Sequence, residues 1–385
     1  MTIVFVSNFL NQHQHHLCLF LQQLVNEFYF IELEATNSIG YQIQTHADFV
    51  LQYYKAGERD KAIALINQAD VVIFGGTSPL MYPRIKENKI TYLYIERYFK
   101  KGIWRRFVPT IRNAIHKAII QYKSQNLFVL CASAYTSYDL SLLGFPSTKC
   151  FKWGYFPLTK HYCINDLMKK KETQNTIEIL WAGRFIKWKH PEHAILIANE
   201  LRKIGYNFHL SMIGDGCELN SIRKLATSLH IENYVDFLGG LSSDAVREHM
   251  EKSHIFLFTS DYNEGWGAVL NEAMNSACAV IVSHAAGSVP YLINNGNNGL
   301  IYQSGNWKEA FLHLVYLIDH SKEIFKLGTN AYLTIVKMWN AKNAAKCFVN
   351  LVKGALQGHI LPQMSNDGVC SSANVIKNNW YKAIK

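Results

Sequence analysis

The sequence predicts an α/β protein built from two doubly wound, parallel-sheet domains. Short β-rich apolar runs alternate with longer segments of helical period along most of the chain. The alternation lapses near the middle, from Pro157 to Asn175. A length of 385 residues, 49% hydrophobic and 18% charged, is also more than one core ordinarily serves.

In the first half the runs are Ile3–Val6, Phe28–Leu33, Val71–Phe74, Thr91–Ile95 and Leu127–Cys131. In the second they are Ile177–Ala182, Phe208–Ile213, Tyr234–Leu238, Ile255–Phe258, Ala279–Val282 and Leu300–Tyr302. Strands this short, each followed by a helix-length segment, pair in parallel through right-handed crossovers. Between them, Ala194, Ile197, Ala198 and Leu201 share one helical face after Pro191, a residue suited to a first turn. Ala341, Ala344, Ala345 and Phe348 repeat that pattern behind Asn340, a residue suited to an N-cap.

The expected division is a first domain at 1–156 and a second at 176–338, joined by a linker at 157–175. In that linker Lys169-Lys170-Lys171 reads as solvated. Residues 339–385 form a C-terminal helix and tail, and the pattern leaves open whether these pack on the first domain or stay loose. Ligands of such folds sit beyond the carboxyl ends of the strands, so two facing sheets make a natural cleft.

No apolar run approaches the roughly 20 residues that cross a bilayer. Met1–Val6 lacks the charged start and cleavage site of a signal peptide and reads as a strand. Eight cysteines without a Cys-x-x-Cys pair suit reduced thiols in a cytoplasmic protein. The net charge of +10 fits a nucleic acid, a diphosphate ligand or an anionic membrane surface. No helix-turn-helix, RNP or zinc pattern accompanies it, which ranks nucleic acid low.

Chemistry concentrates between Ile255 and Ala277. A strand runs into the polar turn Thr259-Ser260-Asp261-Tyr262-Asn263, then Glu264-Gly265-Trp266-Gly267 and a helix. Leu270, Ala273, Met274 and Ala277 make the buried stripe of that helix, which turns Glu272 away from the core. Glycines at a helix start let the backbone approach a phosphate, and the N–H groups there favour an anion. Ionised carboxylates on either side suit a hydroxyl-rich ligand, because each accepts two hydrogen bonds from a diol.

The stretch from Glu264 through Ala268 to Glu272 and Met274 resembles the E-x7-E signature of family 4 glycosyltransferases, which have the two-domain GT-B fold. Ala182-Gly183-Arg184-Phe185-Ile186-Lys187-Trp188-Lys189, Ile213-Gly214-Asp215-Gly216-Cys217-Glu218 and Ala286-Gly287-Ser288-Val289-Pro290 with Asn298-Gly299-Leu300 resemble further segments of that family, in its order. Asn8–Gln14, Ile95-Glu96-Arg97 and Trp153-Gly154-Tyr155-Phe156-Pro157 are similar to a capsule or exopolysaccharide-biosynthesis branch. Four positions depart from the pattern. His190 and Cys278 stand where glycine is usual, Tyr291 replaces an acidic residue, and Glu96 lies where many relatives place a histidine.

The resemblance implies a retaining transferase that moves a sugar from a UDP- or GDP-sugar to a glycan or lipid-linked acceptor. It implies no divalent metal in catalysis and no cofactor beyond the nucleotide-sugar. By the same resemblance the C-terminal domain binds the nucleotide and the N-terminal domain the acceptor. Arg184 and Lys189 would grip the diphosphate, Glu264 the transferred sugar and Glu272 the ribose. The backbone of Gly265, Trp266, Gly267 and Ala268 would lie near the phosphates, with Gly214 and Gly216 shaping a turn beside the base. Trp266, read as an exposed aromatic, serves equally as packing under the loop, and Lys187 reads as solvated. A sugar-nucleotide epimerase or phosphorylase shares this fold and is the alternative.

His13, His15 and His16 crowd the first strand-to-helix loop, where His13 is placed to touch substrate hydroxyls; a zinc site would need further ligands. Glu96 and Arg97 follow the fourth strand, either at the cleft or as a surface ion pair. Arg97, Lys100, Lys101, Arg105, Arg106, Arg112, Lys117 and Lys123 are interleaved with Tyr98, Phe99, Ile103, Trp104 and Phe107. That mixture suits peripheral contact with an anionic membrane, at the inner face of the cell membrane for a cytoplasmic enzyme.

Overall fold

The computed structural model of the chain describes residues 1–35, 48–358 and 367–383. It divides into two compact units, Met1–Leu158 with Trp339–Trp380, and Thr159–Met338 with the residues from Tyr381 onward.

The first unit holds β1 (Thr2–Ser7), β2 (Glu27–Glu32), β3 (Val50–Gln52), β4 (Val71–Phe74), β5 (Thr91–Ile95), β6 (Leu127–Cys131) and β7 (Cys150–Lys152). They form one parallel sheet in the order β3-β2-β1-β4-β5-β6-β7. β4 and β6 are buried at every position, as a parallel strand covered on both faces must be, which is why they read as unbroken apolar runs. β3 and β7 have three residues each and lie at the two edges, too short to carry a pattern of their own.

The second unit holds β8 (Ile177–Ala182), β9 (Phe208–Ile213), β10 (Val235–Gly239), β11 (Ile255–Phe258), β12 (Ala279–Ser283) and β13 (Leu300–Tyr302). Their order is β10-β9-β8-β11-β12-β13, again all parallel. In each sheet the order reverses once, at β1/β4 and at β8/β11. Chains leaving the two central strands there depart to opposite sides and open a crevice beyond the strand ends. Both sheets, with their covering helices, give the GT-B type of α/β architecture expected from the sequence.

The C-terminal helix Ala341–Leu356 starts at Asn340, whose side chain accepts from Asn343 N–H at 2.9 Å. It packs in the first unit, with Phe348 5.0 Å from the Tyr92 ring and 5.8 Å from Trp153. The chain then lies antiparallel along β7: Cys370 N–H donates to Lys152 O and Lys152 N–H to Ser371 O, both at 2.8 Å.

The stretch 157–175 differs from the solvated linker expected of it. Ile164–Glu172 is a helix, and Lys171 is fully buried because it follows Leu167 by four residues on the helix face turned inward. Its ammonium donates to Ser253 O at 2.6 Å, Ser276 O at 2.9 Å, Ala277 O at 3.1 Å and Met250 O at 3.3 Å. Lys169 and Lys170 are exposed.

Candidate active site

In the second unit the loops after β8 and β11, the two strands of the switch point, are joined through Lys189 and Glu264. The loop after β8 carries Arg184 and a short turn, Lys187–Lys189, while the loop after β11 carries Glu264. Lys189 Nζ forms an ion pair with Glu264 Oε2, their side chains 12% and 13% exposed, and Ser260 Oγ donates to the same oxygen at 3.1 Å. Two further bonds tie the loops, Asp261 N–H to Trp188 O at 2.9 Å and Thr259 Oγ1 to Lys189 O, while Trp181 Nε1 on β8 donates to Thr259 Oγ1 at 2.9 Å. Arg184 stays exposed, its guanidinium 5.8 Å from the Trp188 ring.

Two glycines make the crevice possible. Gly267, at φ +86°, begins the helix Ala268–Asn275, and a Cβ there would fall 2.4 Å from Phe258 Cζ. Gly214, at φ +134°, lies against the backbone of Gly183, where a Cβ would stand 1.9 Å from Gly183 O. The loops after β8 and β9 therefore touch main chain to main chain, with Gly216 following at the same turn.

Trp266 is buried, contrary to its reading as an exposed aromatic. An indole flanked by glycines has room to fold under the loop, and its Nε1 donates to Asn271 Oδ1 at 2.9 Å. Only its main chain remains available to a ligand. Glu272 lies on the less buried face of its helix with Ala268 and Val269. Desolvation pushes its carboxyl up to about 6, against the opposing charge of Arg247.

The first unit builds a separate site around the end of β1. A cavity of about 260 Å³ is lined by Asn11, His13, Gln14, Glu96 and Tyr155 among others. Tyr155 joins the two residues expected here: its ring stacks on His13 at 5.8 Å and 6°, and its hydroxyl donates to Glu96 Oε1 at 2.6 Å. Lys100 pairs with the other Glu96 oxygen. Burial lowers the His13 pKa, and its Nδ1 is buried without a partner. Sequence reasoning assigned Tyr155 no role, although its place just past β7 marks a strand-end position. His13, His15 and His16 do not come together as a three-ligand metal group among the described residues.

Arg97 is neither at this site nor on the surface. Just past the end of β5 it points into the interior, where its Nε donates to Asp139 Oδ2 at 3.2 Å and its Nη2 to Oδ1 at 2.9 Å. The basic stretch thus loses Arg97 to the core and Lys100 to Glu96. Lys101, Arg112, Lys117 and Lys123 remain exposed, beside the half-buried Arg105 and Arg106. Trp104 is 61% and Phe107 70% exposed among them.

Comparison with known proteins adds the wider context. Residues 164–334 match the family described as glycosyl transferases group 1. N-acetyl-alpha-D-glucosaminyl L-malate synthase of Bacillus anthracis is 38% identical over 134 residues, covering 34% of each chain. The chain spans less than half the length of the curated relatives it matches. Among solved structures, Anabaena Alr3699/HepE in complex with UDP superposes with a TM-score of 0.69 at 15% identity, covering 92% of this chain and 100% of that one. The same Anabaena protein is also known in complex with UDP-glucose. The lipopolysaccharide outer core galactosyltransferase WaaB superposes at 0.67 and 17% identity, over 92% of this chain and 100% of its own.

Proposed function

We propose that the chain is a retaining glycosyltransferase that moves a sugar from a nucleoside-diphosphate sugar to a hydroxyl of a glycan or lipid-linked acceptor. The glycosyl transferases group 1 match and the structural neighbours bound to UDP and UDP-glucose support the transferase class and the donor. The observation that carries it is the Lys189–Glu264 pair, held at the β8/β11 crevice beside the helix start at Gly265–Ala268.

In this reading Lys189 and Arg184 meet the diphosphate. Cleavage of the anomeric C–O bond leaves its electron pair on a β-phosphate oxygen, and fixed cations stabilise the charge that develops there. Lys189 supplies a point charge, Arg184 a planar fork. Once Lys189 turns to phosphate, Glu264 is free to accept from hydroxyls of the transferred sugar, while Glu272 accepts from the ribose. The acceptor hydroxyl forms the new bond to the anomeric carbon on the face the leaving group vacates, and its proton passes to the departing phosphate oxygen. No divalent metal and no cofactor besides the donor enters these steps.

The cavity at His13, Glu96 and Tyr155 serves the acceptor, with Glu96 as hydroxyl-binding carboxylate and His13 as a neutral imidazole. The exposed Trp104 and Phe107 among cations favour contact with anionic lipid headgroups, which would bring a lipid-linked acceptor to the enzyme. No described helix is long and apolar enough to cross a membrane.

A panel of UDP-, GDP- and other sugar nucleotides, scored for thermal stabilisation and hydrolysis, tests the reading. The true donor should raise the melting temperature most, since stabilisation follows concentration relative to affinity. Absence of a shift with every nucleoside diphosphate would reject it. An epimerase or phosphorylase would instead reveal itself by its products.

A further inference from the structure

His190 stands in a conformation that disfavours it. Its φ of +49° and ψ of +53° are left-handed, the region glycine enters freely and a Cβ-bearing residue enters at a cost. The side chain of His190 is anchored on both sides. Nδ1 meets Glu192 Oε1 at 2.8 Å, and Nε2 meets Asp261 Oδ2 at 3.3 Å. Both ring nitrogens thus face carboxylates, and both can donate only when the imidazole is protonated.

The two carboxylates belong to different elements. Glu192 opens the helix Pro191–Lys203 that follows β8, while Asp261 sits in the loop after β11. Asp261 is itself fixed by Asn263 N–H at 2.8 Å and Asn263 Nδ2 at 2.9 Å. His190 therefore bridges the loop that ends in Lys189 to the loop that carries Glu264.

We propose that His190, as an imidazolium, is a positioning residue of the donor site, clamping the Lys187–His190 turn to the Asp261–Glu264 loop so that Lys189 and Glu264 keep their register. This rests on the reading of that crevice as the site of a nucleoside diphosphate. The hydrogen bonds that the ring donates to Asp261 and Glu192 raise the His190 pKa to about 9, against desolvation. The other groups facing the cluster do not supply the charge. His193, stacked on His190 at 4.9 Å and 10°, is pushed down to about 4 by burial, so it is neutral. Tyr302, on β13, lies against Glu192, and burial raises its hydroxyl far above neutrality.

His190→Gly separates the clamp from the fold, because glycine relaxes the backbone at that φ while removing the bridge. The clamp predicts that UDP binding, measured by calorimetry, weakens in wild type as pH rises from about 8 to 10, where the imidazolium is lost. His190→Gly should bind UDP about fivefold more weakly at pH 7 and lack that alkaline limb. Asp261→Asn should reproduce the loss with His190 in place. A His190→Gly protein that melts like wild type and binds UDP with the same affinity and pH profile would overturn the clamp. So would an EDTA treatment that reproduces the substitution's effect, since it would make the cluster a metal site. Wild-type protein that binds no nucleoside diphosphate at any pH would overturn the donor site itself, and the clamp with it.

Discussion

Lys189 and Glu264, the two residues expected to grip opposite ends of a donor, are each other's partner. Each keeps the other neutralised while both are largely buried, so a ligand must replace an existing interaction on both sides. If this crevice is the donor site, phosphate alone could satisfy Lys189 but would strand Glu264, whereas a sugar diphosphate would satisfy both. In that reading the pair favours the complete donor over inorganic phosphate.

Replacing Lys189 with Met should lower turnover by about 100-fold, through loss of charge stabilisation at the leaving phosphate. It should also destabilise the free protein by about 1–3 kcal/mol, because the Glu264 carboxylate loses its cation. In the double variant Lys189→Met/Glu264→Gln the stability loss should fall below the sum of the single losses. Steady-state kinetics and urea unfolding of the four proteins measure both effects.

Glu272 gives a pH signature of opposite sign in stability and in binding. Its carboxyl, raised to about 6 by burial, holds its proton in the folded state where the unfolded chain has already released it. The folded state is therefore penalised progressively as pH climbs from the ordinary carboxylate range to about 6, and fully above it. Glu272→Gln should gain about 1–2 kcal/mol above pH 6 and nothing below about pH 4. The same variant should bind UDP more weakly above pH 6, having lost the ionised acceptor for the ribose. Melting and titration across that range check the two halves together.

Lys171→Met would leave four buried carbonyls without their shared donor. We expect a loss of about 2–3 kcal/mol. Lys170→Met, one residue away on the exposed face, should stay within about 0.5 kcal/mol of wild type. Chemical denaturation of both proteins distinguishes a caged lysine from a solvated one.

Tyr155→Phe removes the hydroxyl that holds Glu96 while keeping the ring against His13. The acceptor KM should rise by roughly tenfold, as a positioned carboxylate loses its support, and UDP affinity should not change.

Reversing the charge of Arg105 and Arg106 to Glu should abolish binding to vesicles rich in anionic lipid and leave neutral vesicles unaffected. Trp104→Ser/Phe107→Ser should weaken the same binding, since these side chains are 61% and 70% exposed. Flotation with both vesicle types reads the outcome; unchanged flotation would assign the patch to solvent.

Period carried most of the architecture. A strand such as β11, four apolar residues between polar turns, is legible because a doubly covered strand must be apolar throughout. Helical phase likewise sets Glu272 apart from Leu270 and Ala273. What escaped is what period does not encode. β3 and β7 are too short to have one. Lys171 is hidden in a run of like residues, and only the phase from Leu167 shows that it turns inward. Trp266 between glycines reads equally as an exposed aromatic or as packing under the loop; the partner five residues on, Asn271, lets the indole go under. Tyr155 belongs to its site through two contacts with residues remote in the chain, so no local pattern announces it.

The first unit is assembled from both ends of the chain, with Trp339–Trp380 joining Met1–Leu158, whereas nearly all of the second is one uninterrupted stretch. During synthesis the ribosome delivers the whole β8–β13 sheet while the first unit still lacks the helix that covers Tyr92 and Trp153. The part made first is thus the part completed last. Until that helix emerges, its apolar seat on the first sheet is open to other chains, and this is where a stalled product would aggregate.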